Sequence, residues 1–384
     1  MSKWYRFTII AALIAVIVVA VRTCQSSGDT LESIQNQEPT EQTEPELTLK
    51  DVTLEQPGEN GGLLWRVKAK EATYSPDRRL ASLKSPEGEL FQDGKVIYKV
   101  KADQGEIRED GKSIFLQGNI VATSPDEDIV LKGKSLEWIP EDDLLMVKDS
   151  IVGEHPQLSA TAQEARLFNK TKRLELFGGV VANTTEEPWM GFKSDKLVFL
   201  LDENKLQTDV PVQMERYVAK KDKTVTDRLV GNQGEFDLTK QQALLQQQVQ
   251  MNALKLPLQA NSDEALWEVA DGIVVLKQSV KIEHPKRKLT ANAMQGRLNL
   301  DSQMLLLDGK VQAVSKDRQS LLLADQLTWN IQTQDVDGRG NVSYSQQDPA
   351  ATVNGDRAVG NLERQTVVVT GNNVVTEIVP LGVE

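Results

Sequence analysis

Residues Ala102–Ala122 read ADQGEIREDGKSIFLQGNIVA, and this stretch decides the fold because its skeleton recurs along the chain. A small or apolar anchor is followed by a polar turn, an apolar run, and a Val or Ile that usually comes after Gly or Asn. With the anchor and the closing Val or Ile as markers, the pairs are Gly105/Ile120, Leu136/Ile151, Ala165/Val180, Leu197/Val210, Gly234/Val249, Ala265/Val280, Gly296/Val311, Leu327/Val342 and, one residue looser, Ala358/Val374. A period of about 31 residues is the signature of an array, in which one supersecondary unit buries its apolar face only when its neighbours stack on it.

The 384 residues leave room for one to three domains. A net charge of −12 with no basic stripe argues against nucleic acid as a partner, since counterion release from phosphates needs a surplus of Lys and Arg. The one cysteine, Cys24, rules out an intramolecular disulfide, and with only His155 and His284 beside it a Cys/His zinc site is excluded.

Residues 1–24 contain an apolar run that, with Trp4 and Tyr5, spans roughly 27 Å as a helix, enough for a bilayer core. Lys3 and Arg6 precede it and Arg22 follows, which predicts a transmembrane signal anchor with the chain continuing outside. The competing reading is a signal peptide cut before Cys24 and lipidated there, although Val21, Arg22 and Thr23 are not the small residues such a site uses. Residues 25–46 are acidic, almost without apolar residues, and read as a disordered linker.

From Leu47 the periodicity becomes two. LTLKDV, LLWRVKAKEA, KVIYKVKA, SIFLQGNIVA and DIVLKGKSLEW alternate between turn-forming stretches, so the body is all-β. In WRVKAK, Trp65, Val67 and Ala69 share one face and Arg66, Lys68 and Lys70 the other.

The order of these elements from Leu47 to Val181 resembles the LptC family, the membrane-anchored periplasmic component of lipopolysaccharide export. The resemblance lies in LKDVTLEQPGENGGLLWRVKAKEATY, then SPEGELFQDGKVIYKVKADQGEIREDGKSIFLQGNIVAT, then LKGKSLEWIPEDDLLMVKDSIVGEH, then LSATAQEARLFNKTKRLELFGGVV. The A-D-x-G-x-I…L-x-G-N-I unit is also shared by LptA and the N-terminal part of LptD. It covers about a third of the chain closely, and the repeats continue more loosely to Val379. The chain is roughly twice as long as a usual LptC.

Between Val210 and Val249 about eight extra residues enter, and the charged AKKDKTVTDR within them reads as an exposed hairpin or loop. Glu154-His155-Pro156 and Glu283-His284-Pro285 match after similar positions, as duplication of one block would produce. The expected organisation is therefore 1–24 anchor, 25–46 linker, 47–212 LptC-like β-jelly roll, 213–230 charged insertion, and 231–384 second LptC/LptA-like block.

No enzymatic constellation emerges. Gly111-Lys112-Ser113 and Gly133-Lys134-Ser135 lack the first glycine of a phosphate-binding loop, and no G-x-S-x-G or G-x-G-x-x-G occurs. The carboxylates Asp142-Asp143 and Asp126/Asp128 sit beside prolines in turns and read as solvated, and each histidine precedes a proline. The expectation is a non-enzyme with no catalytic residue, metal or cofactor.

The resemblance implies an open β-jelly roll whose two sheets enclose a groove for the acyl chains of lipopolysaccharide. On parity its inward residues in the first block are Trp65, Val67, Val100, Ile107, Leu116, Ile120, Leu136, Trp138, Leu144, Met146, Leu167, Leu174 and Leu176. The same residues also suit an ordinary closed core. It further implies an ABC transporter of LptF/LptG–LptB type in the inner membrane as donor, and an LptA-like or LptD-like β-jelly-roll acceptor. The apolar, β-branched stretch TVVVTGNNVVTEIV, with Thr366, Val367, Val368, Val369, Val374 and Val375, is the candidate edge for that acceptor. A membrane-tethered β-solenoid that scaffolds envelope proteins without carrying lipid is the alternative.

Overall fold

The structure, a computed structural model, describes residues 47–58, 61–108, 113–348, 350–371 and 374–378, with side chains as far as 371. The anchor and linker stretches, including Cys24, lie outside the described residues. No α-helix occurs among the described residues and none is long and apolar enough to cross a membrane. Thr48–Glu384 form one compact unit.

The chain begins with β1 (Leu47–Pro57), β2 (Leu63–Tyr74), β3 (Leu80–Lys84), β4 (Glu87–Gln92), β5 (Lys95–Lys101) and β6 (Gln104–Arg108). Long strands follow: β7 (Ile114–Ser124), β8 (Ile129–Ile139), β9 (Leu144–His155), β10 (Leu158–Phe168), β11 (Arg173–Thr184) and β12 (Met190–Leu200). The spacing anomaly is filled by β13 (Lys205–Thr208), β14 (Val212–Tyr217), β15 (Val225–Gly231) and β16 (Gln233–Asp237). Regularity then returns with β17 (Gln242–Ala253), β18 (Leu258–Glu268), β19 (Ile273–His284), β20 (Leu289–Asn299), β21 (Met304–Ser315) and β22 (Ser320–Asn330). The described chain closes with β23 (Asp335–Gln347), β24 (Ala350–Asn361), β25 (Thr366–Gly371) and β26 (Val374–Ile378). All belong to one antiparallel sheet, in which each long strand pairs with the next in sequence.

One repeat is thus two strands, and the reason its closing Val or Ile follows a Gly-Asn-like pair is now visible. In seven alternate strands two consecutive residues take left-handed backbone angles, with φ between 45 and 81°: Gly118/Asn119, Asp149/Ser150, Gly178/Gly179, Gln247/Gln248, Gln278/Ser279, Gly309/Lys310 and Gly340/Asn341. Each pair inserts one extra residue relative to its neighbours, as where Gln117↔Ser135 is followed by Ile120↔Gly133. The bulge bends the strand, and Leu116 before it and Ile120 after it, at the same parity, are both buried. Aligned down the sheet, the bulges fold it into two walls whose apolar faces meet.

Ring contacts locate the meeting. Tyr98 and Trp138, His155 and Phe199, and His284 and Trp329 have centroids 5.7, 5.0 and 5.6 Å apart, and each pair joins strands three apart in the chain, one ring on either side of the bulge line. Phe192 and Phe236, 5.0 Å apart, do the same across β12 and β16. The matched Glu-His-Pro segments are therefore equivalent corners, each placing an imidazole against the opposite wall.

The charged insertion is the β14–β15 hairpin, and β13–β16, β15–β17 and β16–β17 pairings carry the sheet past it. Its tip is polar, but its base holds buried charges, among them Asp227 of the AKKDKTVTDR stretch expected to be exposed. Glu215 is 2% exposed and bonds Lys193, Arg228 and the Tyr217 hydroxyl, while Arg216 pairs with the buried Asp227 at 2.7 Å. Burial drives the Glu215 carboxyl up, and the bonds from Lys193 and Arg228 outweigh it, leaving it below its ordinary value.

Gly178 tests the bulge. A Cβ there would lie 2.9 Å from that of Gln163, on a backbone at φ 80°. Gly178→Val is expected to destabilise the fold by roughly 1–2 kcal/mol and to speed hydrogen exchange in β10 and β11, whereas Gln247→Gly, at φ 62°, leaves denaturation unchanged or shifts it to higher denaturant.

Candidate functional site

The space between the walls is lined almost wholly by hydrocarbon. One cluster of buried residues runs from Trp65 to Ile331, and a second, smaller one holds Ala324, Val342, Tyr344, Ala358 and Val369. Of the inward residues expected from parity, Trp65, Val67, Val100, Ile107, Leu116, Ile120, Leu136, Trp138, Leu167, Leu174 and Leu176 are buried in the first cluster. Leu144 and Met146 are not. The register Trp138↔Leu145 and Leu136↔Val147 puts Leu145 and Val147 inward and turns Leu144 and Met146 towards the outer face. The cause is the turn Pro140–Asp143, whose left-handed Asp143 fixes the parity of β9.

The expected trough is closed through the first block. Trp138, Leu116 and Ile120 are each about 1% exposed, and the internal space by His155, Leu176 and Phe199 measures only about 30 Å³. The larger apolar cavity, about 100 Å³, lies where the two core clusters fail to meet, between Ile282, His284, Ala313 and Leu322 on one wall and Trp329, Val336, Ala358 and Val367 on the other. At about 24 cal/mol per Å³, leaving that much space unpacked costs roughly 2 kcal/mol. Sequence reading missed this site because it is made by small residues, Ala291, Ala313, Ala358 and Gly360, which carry no pattern of their own.

Along the margin opposite the bulges the walls end in turns, and side chains bridge them. Lys172 pairs with Glu127 at 2.6 Å, Gln92 donates to Asp143 at 2.9 Å, Gln241 donates to the Glu187 carbonyl at 3.2 Å, and Arg318 donates to the Leu362 carbonyl at 2.7 Å. Among the described residues no backbone–backbone hydrogen bond crosses this seam. Exchange of such half-exposed contacts with water costs little, about 1 kcal/mol each, so the seam is the weakest line in the molecule.

Several interior polar groups have no protein partner: the indole N–H groups of Trp138, Trp267 and Trp329, and the Tyr98 hydroxyl, which burial holds well above its ordinary pKa. Both histidines accept through Nδ1 from a backbone N–H, of Gln157 and Arg287 respectively. Burial is the main cause that lowers each imidazole; Asp128 and Glu127 oppose it at His155, and Arg287 and Lys286 reinforce it at His284. Among the described residues no group of acidic, His or Cys side chains is placed to hold a metal.

At the C-terminal end β25 is paired on both sides, to β24 and to β26. Thr366–Val369 are thus interior to the sheet, a correction to the edge expected from sequence. The backbone of 374–378 is the outermost strand there among the described residues, and the side chains of Val374 and Val375 lie outside them.

An all-β antiparallel body with an apolar interior is consistent with the β-jelly roll that the sequence resemblance implies, and comparison with known families decides the family. The family described as lipopolysaccharide-assembly, LptC-related, matches residues 8–143, 129–252 and 279–377. The chain belongs to the LptC-related family. Three matches along one chain account for its length, because LptC-like segments follow one another, and membership assigns it a role in lipopolysaccharide transport. No curated protein matches the chain. One solved structure, the extracellular domain of a one-component system from B. thetaiotaomicron, is similar at 6% identity over 86% of this chain and 81% of that one, with a TM-score of 0.12, which informs neither fold nor function.

The parity of β9 is checked by truncation. Leu145→Ala should cost about 2–5 kcal/mol, and Leu144→Ala about 1 or less, in denaturant titration. The histidines set a pH dependence: with folded values below the ordinary imidazole pKa of about 6.5, stability is complete above it and falls with pH below it, as the unfolded chain takes up protons the folded one refuses. His284→Gln should flatten that fall between about pH 6.5 and 5.

Proposed function

We propose that the protein is a membrane-anchored periplasmic component of lipopolysaccharide transport, held in the inner membrane by residues 1–24. It takes lipopolysaccharide from an LptF/LptG–LptB-type ABC transporter and passes it along a β-bridge towards the outer membrane. The observation that carries this reading is a hydrocarbon interior running the length of a two-walled sheet that side chains alone clasp along one margin. Acyl chains enter by parting the clasps, and burial of each methylene returns about 0.8 kcal/mol. The first block is packed shut, so its lining residues serve as a core that must open to admit a chain. The protein performs no chemistry; ATP is consumed by the transporter.

The backbone of 374–378 is the edge offered to an LptA-like or LptD-like acceptor, which adds a strand through main-chain hydrogen bonds. The two blocks 47–212 and 231–384 act as successive stations, and about ten repeats, at 4.8 Å per strand spacing in each wall, extend the bridge by roughly 50 to 100 Å.

A photo-reactive residue at Ile107 or Leu116 in growing cells is expected to yield lipopolysaccharide adducts, and depletion of the protein to empty the cell surface of newly made lipopolysaccharide. Absence of adducts at every interior position in cells that still export would instead favour a tethered scaffold, the reading that the tight first block would suit.

A further inference from the structure

The two matched corners differ in charge. Around His155 the turn Asp126-Glu127-Asp128 faces the ring, and Glu127 and Asp128 are close enough to raise its pKa against burial. At His284 the turn that follows the ring, where His155 is followed by Pro156-Gln157, is Pro285-Lys286-Arg287-Lys288. Lys316 N–H donates to the Lys288 carbonyl at 3.1 Å, bringing in a second turn with Lys316, Asp317 and Arg318. Lys288 pairs with Asp317 at 2.8 Å, whereas Lys286, Arg287 and Lys316 have no ion-pair partner among the described residues. In a chain of net charge −12 this is a local surplus of cations.

The surplus stands at the rim of the 100 Å³ cavity. His284, which lines the cavity, leads directly into Lys286 and Arg287, and Leu362, also in its lining, takes the Arg318 guanidinium on its carbonyl. Inside, the walls are mostly hydrocarbon; the polar side chains among the lining are Thr290, Ser315, Ser320, Tyr344, whose hydroxyl donates to Gln346, and the two nitrogen-bearing rings of His284 and Trp329. Trp329, 5% exposed, has an indole N–H without a protein acceptor. His284 spends Nδ1 on the Arg287 N–H, which leaves Nε2 as the protonated nitrogen of the neutral ring. An apolar cavity with a buried unmatched donor, under a cationic rim, is complementary to one kind of molecule: an acyl chain with an oxygen near its head and an anionic group beyond it.

We propose that this corner is a binding site for a phosphorylated acyl lipid, with the chain between the walls at Trp329 and the phosphate on Lys286, Arg287 and Arg318. The site deepens the reading of the chain as a lipopolysaccharide carrier, on which it rests, by placing a headgroup-recognising station in the second block. The first block, with its acidic corner and 30 Å³ space, offers no counterpart. A cavity of this size takes only the first few methylenes, so a longer chain lifts the Arg318–Leu362 clasp, freeing the guanidinium for the phosphate.

The test uses the full-length protein in detergent and three probes: 1-lauroyl-glycerol 3-phosphate, 1-lauroyl-glycerol, and inorganic phosphate, titrated by calorimetry. The phosphorylated acyl probe is expected to bind at least roughly tenfold more tightly than either of the others. Lys286→Glu/Arg287→Glu, at one exposed and one half-buried position, should lower that affinity roughly tenfold while leaving the circular dichroism spectrum unchanged. Ala358→Leu, which fills the cavity, should abolish the calorimetric signal for both acyl probes. Equal loss of inorganic phosphate and of the phosphorylated probe in the charge-reversed protein would reduce the site to a plain anion patch and overturn the proposal, as would binding indifferent to Ala358→Leu. Lipopolysaccharide adducts at Leu116 that persist while this site fails would sink the second station and keep the transport reading; failure of both would sink the two together.

Discussion

Everything in this molecule depends on a backbone constraint that L-residues normally avoid. Two consecutive left-handed residues, each disfavoured by about 1–2 kcal/mol outside glycine, recur at one height in alternate strands, and they are accepted at Gln247/Gln248 and Gln278/Ser279 as well as at Gly178/Gly179. What offsets the strain is burial on both limbs of the strand. A straight strand twelve residues long would keep one face for a single layer; a bulged one supplies both layers of its own core, and Leu245 and Val249 of the same strand are each buried by the fold.

Folding a sheet along one line leaves the opposite margin without a covalent or backbone closure. That margin runs along strand ends, where no ladder forms, and among the described residues isolated pairs such as Glu127–Lys172 and Arg318–Leu362 span it. Strength is thus distributed unevenly. The ladder direction is held by every strand pairing, and the gap between walls by dispersion and a few polar contacts, so separation of the walls is the deformation that breaks fewest bonds. Parting the walls would expose the hydrocarbon surfaces that hold them together.

The repeat was legible because its closing Val or Ile sits just after the bulge, where burial resumes, and because the turns between strands use the expected Gly, Asn and Asp. Parity was legible wherever polar residues alternate, as in WRVKAK, and illegible in Leu144–Val147, where four apolar residues in a row let a single turn residue, Asp143, choose the face. The clasps could not be read at all, since Gln92 and Asp143 are 51 residues apart and nothing local marks either. Charge misled at the insertion: Glu215 and Asp227 look like surface residues in sequence, and only the close approach of Lys193, Arg228 and Arg216 allows them inside. The cavity was hidden for the opposite reason, being defined by side chains that are small.

The long strands pair between sequence neighbours, and the exceptions, such as β3–β6 and β13–β16, are still local, which has a bearing on how the molecule is made. No strand waits for a partner from a distant part of the chain, as the closing strand of a barrel or a Greek key must, so loop-closure entropy stays low at every stage of assembly. Each new hairpin finds its template already in place on the preceding one, and the growing end always presents a ready surface. The polypeptide is thereby suited to acquiring its shape in the order in which it is synthesised, lengthening like a zip.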